Sequence, residues 1–379
     1  MKKDVIIIGG GVIGCSIALR LAQAGLKVGV IERGRAGCEA SRAAAGMLSP
    51  QTEASGPGPF FDLCLRSHSM YRDFAAQITE LSGIDVEYRD EGALFLMLEN
   101  EDEKSVEGWA SWQRKAGLAI ERVSADDVRK IEPAITRSTA GAVYIPGDNQ
   151  IENRLLMDAL DVAVRRAGVE MLEGEAVDSL IMDGNRVIGV LSERARSEAD
   201  TVIVAAGCWS GHLLERAGLD LEVSPAKGQM VAIKSEPSLL TATIHSRLCY
   251  MVPRRDGRIL IGSTTEYVGY KKGVTASAVS ALLAAAIEII PALEDAEIVE
   301  TWSGLRPDTS DHLPVMGFSG VDNLLIATGH FRNGILLAPV TSTLIADGII
   351  NGRVPEELRH FSIERFDSSD ACMRERAAF

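Results

Sequence analysis

Four stretches of this sequence carry residue types at spacings that can do chemistry. In Gly304-Leu-Arg-Pro307 an arginine stands at a strand end just before a proline, which places it rigidly. A guanidinium so held can take a carboxylate in a bidentate grip, although the solvated surface is the commonest fate of an arginine. In Cys249-Tyr-Met-Val-Pro-Arg254, Tyr250 can offer its hydroxyl to the same carboxylate, or sit in the core with that hydroxyl satisfied. In Gly329-His-Phe-Arg-Asn-Gly334 the glycines and the helix start that follows favour an anion, which would suit the N1/C2=O edge of a flavin; an ordinary strand-to-helix loop is the alternative. The fourth stretch opens the chain: Gly9, Gly11 and Gly14 spell G-x-G-x-x-G. Other familiar constellations are missing from the sequence. It has no Ser/His/Asp set, no H-E-x-x-H, no P-loop lysine, no carboxylate pair and no metal-ligand pattern. The chemistry then belongs to a cofactor, for which the protein supplies position and electrostatics.

These residues need elements to hold them. Val5 to Ile8 is an apolar β-branched run, Val12 to Ala24 has helical apolar spacing ended by Gly25, and Val28 to Ile31 is a second apolar run closed by Glu32. This is a βαβ dinucleotide fingerprint in full context. Gly9 permits the turn, Gly11 lets the backbone approach a pyrophosphate, and Gly14 lets helix and strand pack closely. Glu32 can accept hydrogen bonds from a ribose. The glycines interrupt the apolar run and no A-x-A site follows, so the N-terminus is not read as a signal peptide. At the far end, Leu324 to Thr328, Gly329 to Gly334 and a helix from Ile335 repeat the strand–turn–helix logic. Thr201 to Ala206 is an apolar strand ending in Ala-Ala-Gly, followed by Cys208-Trp-Ser210, where backbone can come close to a ligand at a sheet's carboxyl edge. The small residues Ala40 to Gly46 suit a backbone lying against a ligand.

The rest of the chain reads as support. Phe61 to Leu81 and Asn153 to Ala167 are helices. Gly92 to Leu98 and Gly141 to Ile145 are strands flanking a polar helix Glu101 to Lys115 and a short helix opened by Ser124-Ala-Asp-Asp127. Strands recur at Val169 to Met171, Val177 to Met182 and Val187 to Leu191. From Ser224 to Trp302 four more follow (Gln229 to Ile233, Cys249 to Pro253, Ile259 to Ser263, Ile298 to Trp302), with a helix Ala276 to Ile290 covering an antiparallel sheet. The tail from Asp367 reads as polar and loose. The 379 residues are enough for two domains; 46% are hydrophobic and 24% charged, the balance of a globular protein. The net charge of −14 argues against nucleic acid or an anionic membrane as partner, and the most apolar segment, Val279 to Ile287, is too short to span one. Six cysteines without a C-x-x-C pair read as reduced thiols of a cytoplasmic protein.

Taken together and in order, Gly9 to Gly14 with Glu32, Ala43-Ala-Ala-Gly-Met47, Gly207 to Ser210, Cys249 to Pro253, Trp302 to Pro307 and Gly329 to Leu336 resemble the D-amino-acid oxidase superfamily of flavoproteins, most closely its glycine oxidases of thiamine biosynthesis. The resemblance runs to about Phe366. It implies a Rossmann-like FAD-binding α/β domain (1–84, 147–222 and 306–366) carrying an inserted antiparallel-sheet α+β substrate domain (85–146 and 223–305). It implies non-covalent FAD held by Gly9, Gly11, Val12, Ile13, Gly14, Glu32, Arg33, Ala44, Ala45, Gly46, Met47, Val177, Ala206, Gly207, Trp209, Arg306, His330, Arg332, Asn333, Gly334, Ile335 and Leu336. Arg306, Tyr250 and Arg332 would be the catalytic residues, with Met47, Met251 and His330 lining the substrate pocket. The activity implied is oxidative deamination of glycine, sarcosine and small D-amino acids, with oxygen reduced to hydrogen peroxide, in a homotetramer. Ser246-Arg-Leu248 departs from the polar, His-rich run of that family. The rival readings are an FAD-dependent D-amino-acid dehydrogenase passing electrons to a quinone, a sarcosine oxidase, an NAD dehydrogenase, and a flavin-binding module without activity. A covalent flavin would need a cysteine in the C-terminal half, and none lies between Cys249 and Cys372.

Overall fold

The computed structural model describes residues 2–54, 56–98, 103–235 and 239–366. Glu101, Asp102, Cys372 and the tail from Asp367 therefore lie outside the described residues. Strand Lys3–Ile8 feeds helix Val12–Gln23 and returns as strand Val28–Glu32, as the fingerprint predicts. All four residues from Val5 to Ile8 are buried, because both faces of this strand are covered. It pairs in parallel with Val28–Glu32 on one side and Arg196–Val204 on the other. Leu324–Thr328 continues the parallel array beside Arg196–Val204, and Glu170–Glu173 extends it beyond Val28–Glu32. Strand Val315–Phe318, with no counterpart in the sequence reading, closes one edge antiparallel.

Four helices cover one face of this sheet: Val12–Gln23, Pro59–Ser82, Asn153–Arg166 and Gly334–Asn351. The last is apolar and 18 residues long, enough by length and composition to cross a membrane, whereas the sequence reading singled out only Val279 to Ile287. Some 72% of its apolar window is buried inside the protein, against helices Val12–Gln23 and Pro59–Ser82, so it is a core helix here.

A second eight-stranded sheet runs in the order Glu297–Asp308, Ser224–Lys234, Arg258–Gly262, Tyr250–Pro253, Thr243–His245, Ala93–Leu98, Thr139–Ile145 and Glu121–Ser124. It is antiparallel except where Thr243–His245 meets Ala93–Leu98 in parallel. That join is where two distant segments of the chain come together, so no hairpin dictates its direction. Helix Ala276–Ile289, capped by Thr275 Oγ1 accepting from Ala278 N, packs on the face carrying Leu94, Val231 and Met251. Ser124 caps helix Ala125–Ile131 by accepting from Asp127 N, as its sequence predicts. The opposite face carries Tyr250, Val252, Met230 and Trp302 and turns towards Ala45 and Met47.

One strand differs from expectation in a way that matters. Glu297–Asp308 does not end before Arg306 but runs through it, with Arg306 opposite Ala226 and Pro307 opposite Pro225. A domain boundary between residues 305 and 306 would cut this strand. Arg306 is therefore fixed by sheet register as well as by the proline after it.

Candidate active site

One cavity of about 500 Å³ lies between the two sheets and takes its wall from both. The first sheet supplies the turn after Lys3–Ile8. Gly9 adopts φ +109°, and a Cβ on it would stand 2.4 Å from Ala205 O; a Cβ on Gly14 would stand 2.0 Å from Gly9 O. Both sites therefore exclude any side chain, and helix and strand meet backbone to backbone. Gly14 does this without lining the cavity, so its contribution to cofactor binding is through packing alone. Gly11 opens onto the cavity, where a Cβ would meet only Ser41 Oγ, at 3.3 Å. Val12 N donates to that hydroxyl at 2.9 Å. The sequence reading covers Ser41 only as part of the small-residue run Ala40 to Gly46 and gives its hydroxyl no role.

Glu32 is buried, and its carboxylate accepts from Gly10 N and Gly34 N, both at 2.8 Å. Each oxygen keeps lone-pair capacity for a ribose hydroxyl. Arg33 lies over the Trp209 ring at 3.3 Å, and both line the cavity together with Val177, Ala206 and Gly207. The segment Ala44–Met47 forms another part of the wall. Its carbonyl at Ala45 accepts from Arg254 Nη2 at 2.6 Å, and Gly46 O accepts from Ile151 N at 2.9 Å. Arg254, which the sequence offered only as the end of a strand motif, is buried and pairs with Glu152 at 2.8 Å; burial holds its pKa down at about 10.

The second sheet supplies the polar groups. Arg306 Nη2 donates to Ser263 Oγ at 2.6 Å and Nη1 to Thr264 O at 3.1 Å. The Tyr250 hydroxyl donates to Met230 Sδ at 3.1 Å, and Tyr250 lines the same cavity as Arg306 and Ser263. Burial pushes the Tyr250 phenol up, and the nearby Arg306 charge pulls the other way. The hydroxyl is thus a hydrogen-bond donor at neutral pH. Two glycines make this pairing possible: a Cβ on Gly228 would stand 2.4 Å from Arg306 Nη2, and one on Gly262 would stand 2.5 Å from the Tyr250 hydroxyl.

Strand alternation overturns one expectation. Met251 points away from Tyr250, is fully buried under helix Ala276–Ile289, and does not line the cavity. Met47 does line it. His330 lines the cavity, but its ring is buried, with Nε2 3.1 Å from Thr341 Oγ1, and burial pushes it down to about 3. Arg332 reaches Thr265 Oγ1 at 3.2 Å and Glu53 at 3.8 Å on the same wall. Asn333, Gly334 and Ile335 bring the N-terminus of helix Gly334–Asn351 to the cavity. Its first amides have no partner within the helix and favour negative charge. Leu336, placed in the cofactor site by the sequence, does not line the cavity; its side chain enters the core and its carbonyl accepts from Ser67 Oγ. His245, which belongs to none of the sequence motifs, faces Tyr250 across the strands, and burial pushes it down to about 4. Among the described residues no group of three His, Cys, Asp or Glu could hold a metal ion.

The profile of the family described as FAD dependent oxidoreductase matches residues 4–348. The chain belongs to that family. FAD is its cofactor, and the wall fits it: a side-chain-free cradle at Gly9 to Gly14, a buried acid on the second strand, and a helix N-terminus at the opposite part of the wall. The chain is 35% identical to the glycine oxidase of Bacillus licheniformis over 366 residues, which is 96% of this chain and 98% of that one. It is 37% identical to the bifunctional protein ThiO/ThiG of Synechocystis sp. over 371 residues. It spans about half the length of such bifunctional relatives, 54% in this case. The crystal structure of glycine oxidase from Geobacillus kaustophilus superposes with a TM-score of 0.92 at 35% identity, covering 96% of this FAD-dependent oxidoreductase and 99% of that chain.

Proposed function

We propose that this chain is an amine oxidase that deaminates glycine, sarcosine and small D-amino acids to the 2-oxo acid and ammonia or amine, reducing oxygen to hydrogen peroxide. The observation that carries the reading is that Arg306 and Tyr250 face the same cavity, on a largely apolar wall that also contains Met47 and the nucleotide cradle. A fixed guanidinium beside a phenol donor is built for one carboxylate. Bound FAD supplies the acceptor for the two electrons and hydrogen leaving the α-carbon. Arg306 and Tyr250 hold the carboxylate, and that fixes which face of the α-carbon meets the cofactor. No side chain has to act as base if the amine arrives neutral, and His330, neutral and bonded to Thr341, is a poor one.

The same reading divides the chain into a cofactor domain built on the first sheet and a substrate domain built on the second. It takes the FAD as non-covalent, by the resemblance and because the sequence has no cysteine between Cys249 and Cys372. By resemblance it assigns a homotetramer, a cytoplasmic setting and supply of the imine for thiamine thiazole synthesis. The test is oxygen uptake and peroxide formation across glycine, sarcosine, D-alanine and L-alanine. Peroxide from the first three and none from L-alanine is the expected result. Equal rates on D- and L-alanine would overturn it, and flavin reduction without peroxide would point to a quinone-linked dehydrogenase.

A further inference from the structure

The thirteen residues 263–275 between strand Arg258–Gly262 and helix Ala276–Ile289 leave the second sheet and reach the cofactor wall of the first. Their base is pinned. Gln229, itself buried, donates from Nε2 to Glu266 Oε1 at 2.7 Å and to Thr275 Oγ1 at 3.2 Å, while its Oε1 accepts from Thr275 N at 2.7 Å. Lys227 and Glu266 exchange backbone hydrogen bonds, and the Tyr267 hydroxyl donates to Asp308 at 2.5 Å. Between these anchors, Tyr267 to Val274 are all exposed. Ordering an exposed loop of this length costs conformational entropy, and loops this long are usually functional.

The tip makes its contacts on one place. The Tyr270 ring stacks on Trp209 with centroids 5.6 Å apart, and its hydroxyl donates to Cys208 O at 2.9 Å. Lys272 pairs with Glu39 and lies 5.8 Å from the Trp209 ring, and its carbonyl accepts from Ser303 Oγ. Glu39 also pairs with Arg33 at 2.8 Å, and Arg33 lies against Trp209. Arg33, Glu39, Cys208 and Trp209 line the cavity; Tyr270 and Lys272 do not. Two side chains from the substrate sheet thus hold the wall beside Glu32 and Val177 from behind.

We propose that residues 267–274 are a strap that retains the cofactor by locking Trp209 and Arg33 over its nucleotide end. The strap rests on the function proposed above and on taking Glu32, Val177 and Trp209 as the nucleotide end of that cofactor site. Tyr270 and Lys272 are positioning residues: they act through Trp209 and Glu39, and their loss opens a route by which intact FAD departs.

The experiment follows free-flavin fluorescence after dilution of the holoenzyme. Tyr270→Ala loses both the ring stack and a hydrogen bond, and release is expected to be about tenfold faster or more. Tyr270→Phe keeps the stack and stays within about threefold to fivefold of wild type. Salt speeds release in wild type by screening Lys272–Glu39 and Arg33–Glu39, and Lys272→Met reduces that dependence to the share of Arg33–Glu39, whereas a merely structural residue would leave it unchanged. Release from Tyr270→Ala at the wild-type rate overturns the strap. If that variant does not fold, a wild-type salt dependence in Lys272→Met overturns it instead. Gly11→Val separates the two layers of the argument. It is expected to purify without flavin, and flavin retained in it would overturn the placement on which the strap rests, whereas a colourless Gly11→Val beside a wild-type release rate in Tyr270→Ala would overturn the strap alone.

Discussion

Arg306 and Tyr250 stand where they do because Gly228 and Gly262 have no side chains. That makes Gly228, itself on the cavity wall, a lever on the proposed carboxylate grip. Alanine there puts a Cβ 2.4 Å from Arg306 Nη2, closer than atoms pack, so the guanidinium must shift. The guanidinium is the far end of a flexible side chain, so the fold tolerates the shift and the cost falls on positioning. Gly228→Ala is expected to lower kcat/KM for glycine by about 10- to 100-fold with a near-wild-type melting temperature. Unchanged kinetics would mean that the guanidinium's present position is not the working one. At this scale the sequence was legible where a residue type has few uses: an arginine before a proline, a tyrosine in an apolar strand, glycines in a fingerprint. It was illegible where side-chain direction decides. Met251 and Leu336 sit beside cavity residues in sequence yet point into the core, and Ser41 and His245 belong to no motif.

The loop after strand Met47–Leu48 shows how a buried acid shapes an element. Asp148 accepts from Gln51 N at 3.2 Å, from Thr52 N at 3.0 Å and from the Thr52 hydroxyl, and so fixes the turn that delivers Glu53 to the cavity. Its burial pushes the carboxyl up from 3.8 to about 7. A carboxyl raised by folding favours the folded state while it is protonated. That advantage is full below about pH 4 and is lost as pH rises towards 7. Relative to Asp148→Asn, the wild type is therefore expected to lose up to about 4 kcal/mol of stability between pH 4 and pH 7. Urea unfolding of both proteins at several pH values measures this, and a difference independent of pH would contradict it. Helices and buried strands were readable from their periodicity, since their apolar faces repeat. Thr243–His245 and Val315–Phe318 were not, because three or four residues carry no period, and the extension of Glu297–Asp308 through Pro307 depends on pairing with Pro225 in a distant strand.

Across the whole molecule the cavity takes its wall from both sheets, and Arg254 ties them. It extends from the turn after strand Tyr250–Pro253 to Glu152, Gln150, Asn153 and the Ala45 carbonyl on the cofactor wall. Arg254→Met leaves the buried Glu152 with only the longer pair to Arg258 at 3.8 Å and is expected to cost about 3–5 kcal/mol in thermal unfolding; adding Glu152→Leu should recover much of it. A double variant no more stable than the single would show that the pair is not coupled. The order of motifs along the chain made the nucleotide-binding half legible, but the cavity between the sheets exists only through such long-range ties. If one sheet holds the cofactor and the other the substrate's carboxylate, the two functions must be separable by mutation. The direct measurement is kcat/KM for glycine per bound flavin in Arg306→Ala, alongside flavin content and melting temperature. Removing one partner of a buried charge pair costs about 2–5 kcal/mol, so a fall of about 30- to 3,000-fold with flavin content near wild type is predicted. A variant that loses flavin and thermal stability together, while turnover per remaining flavin is unchanged, would contradict the account and make Arg306 a structural tie.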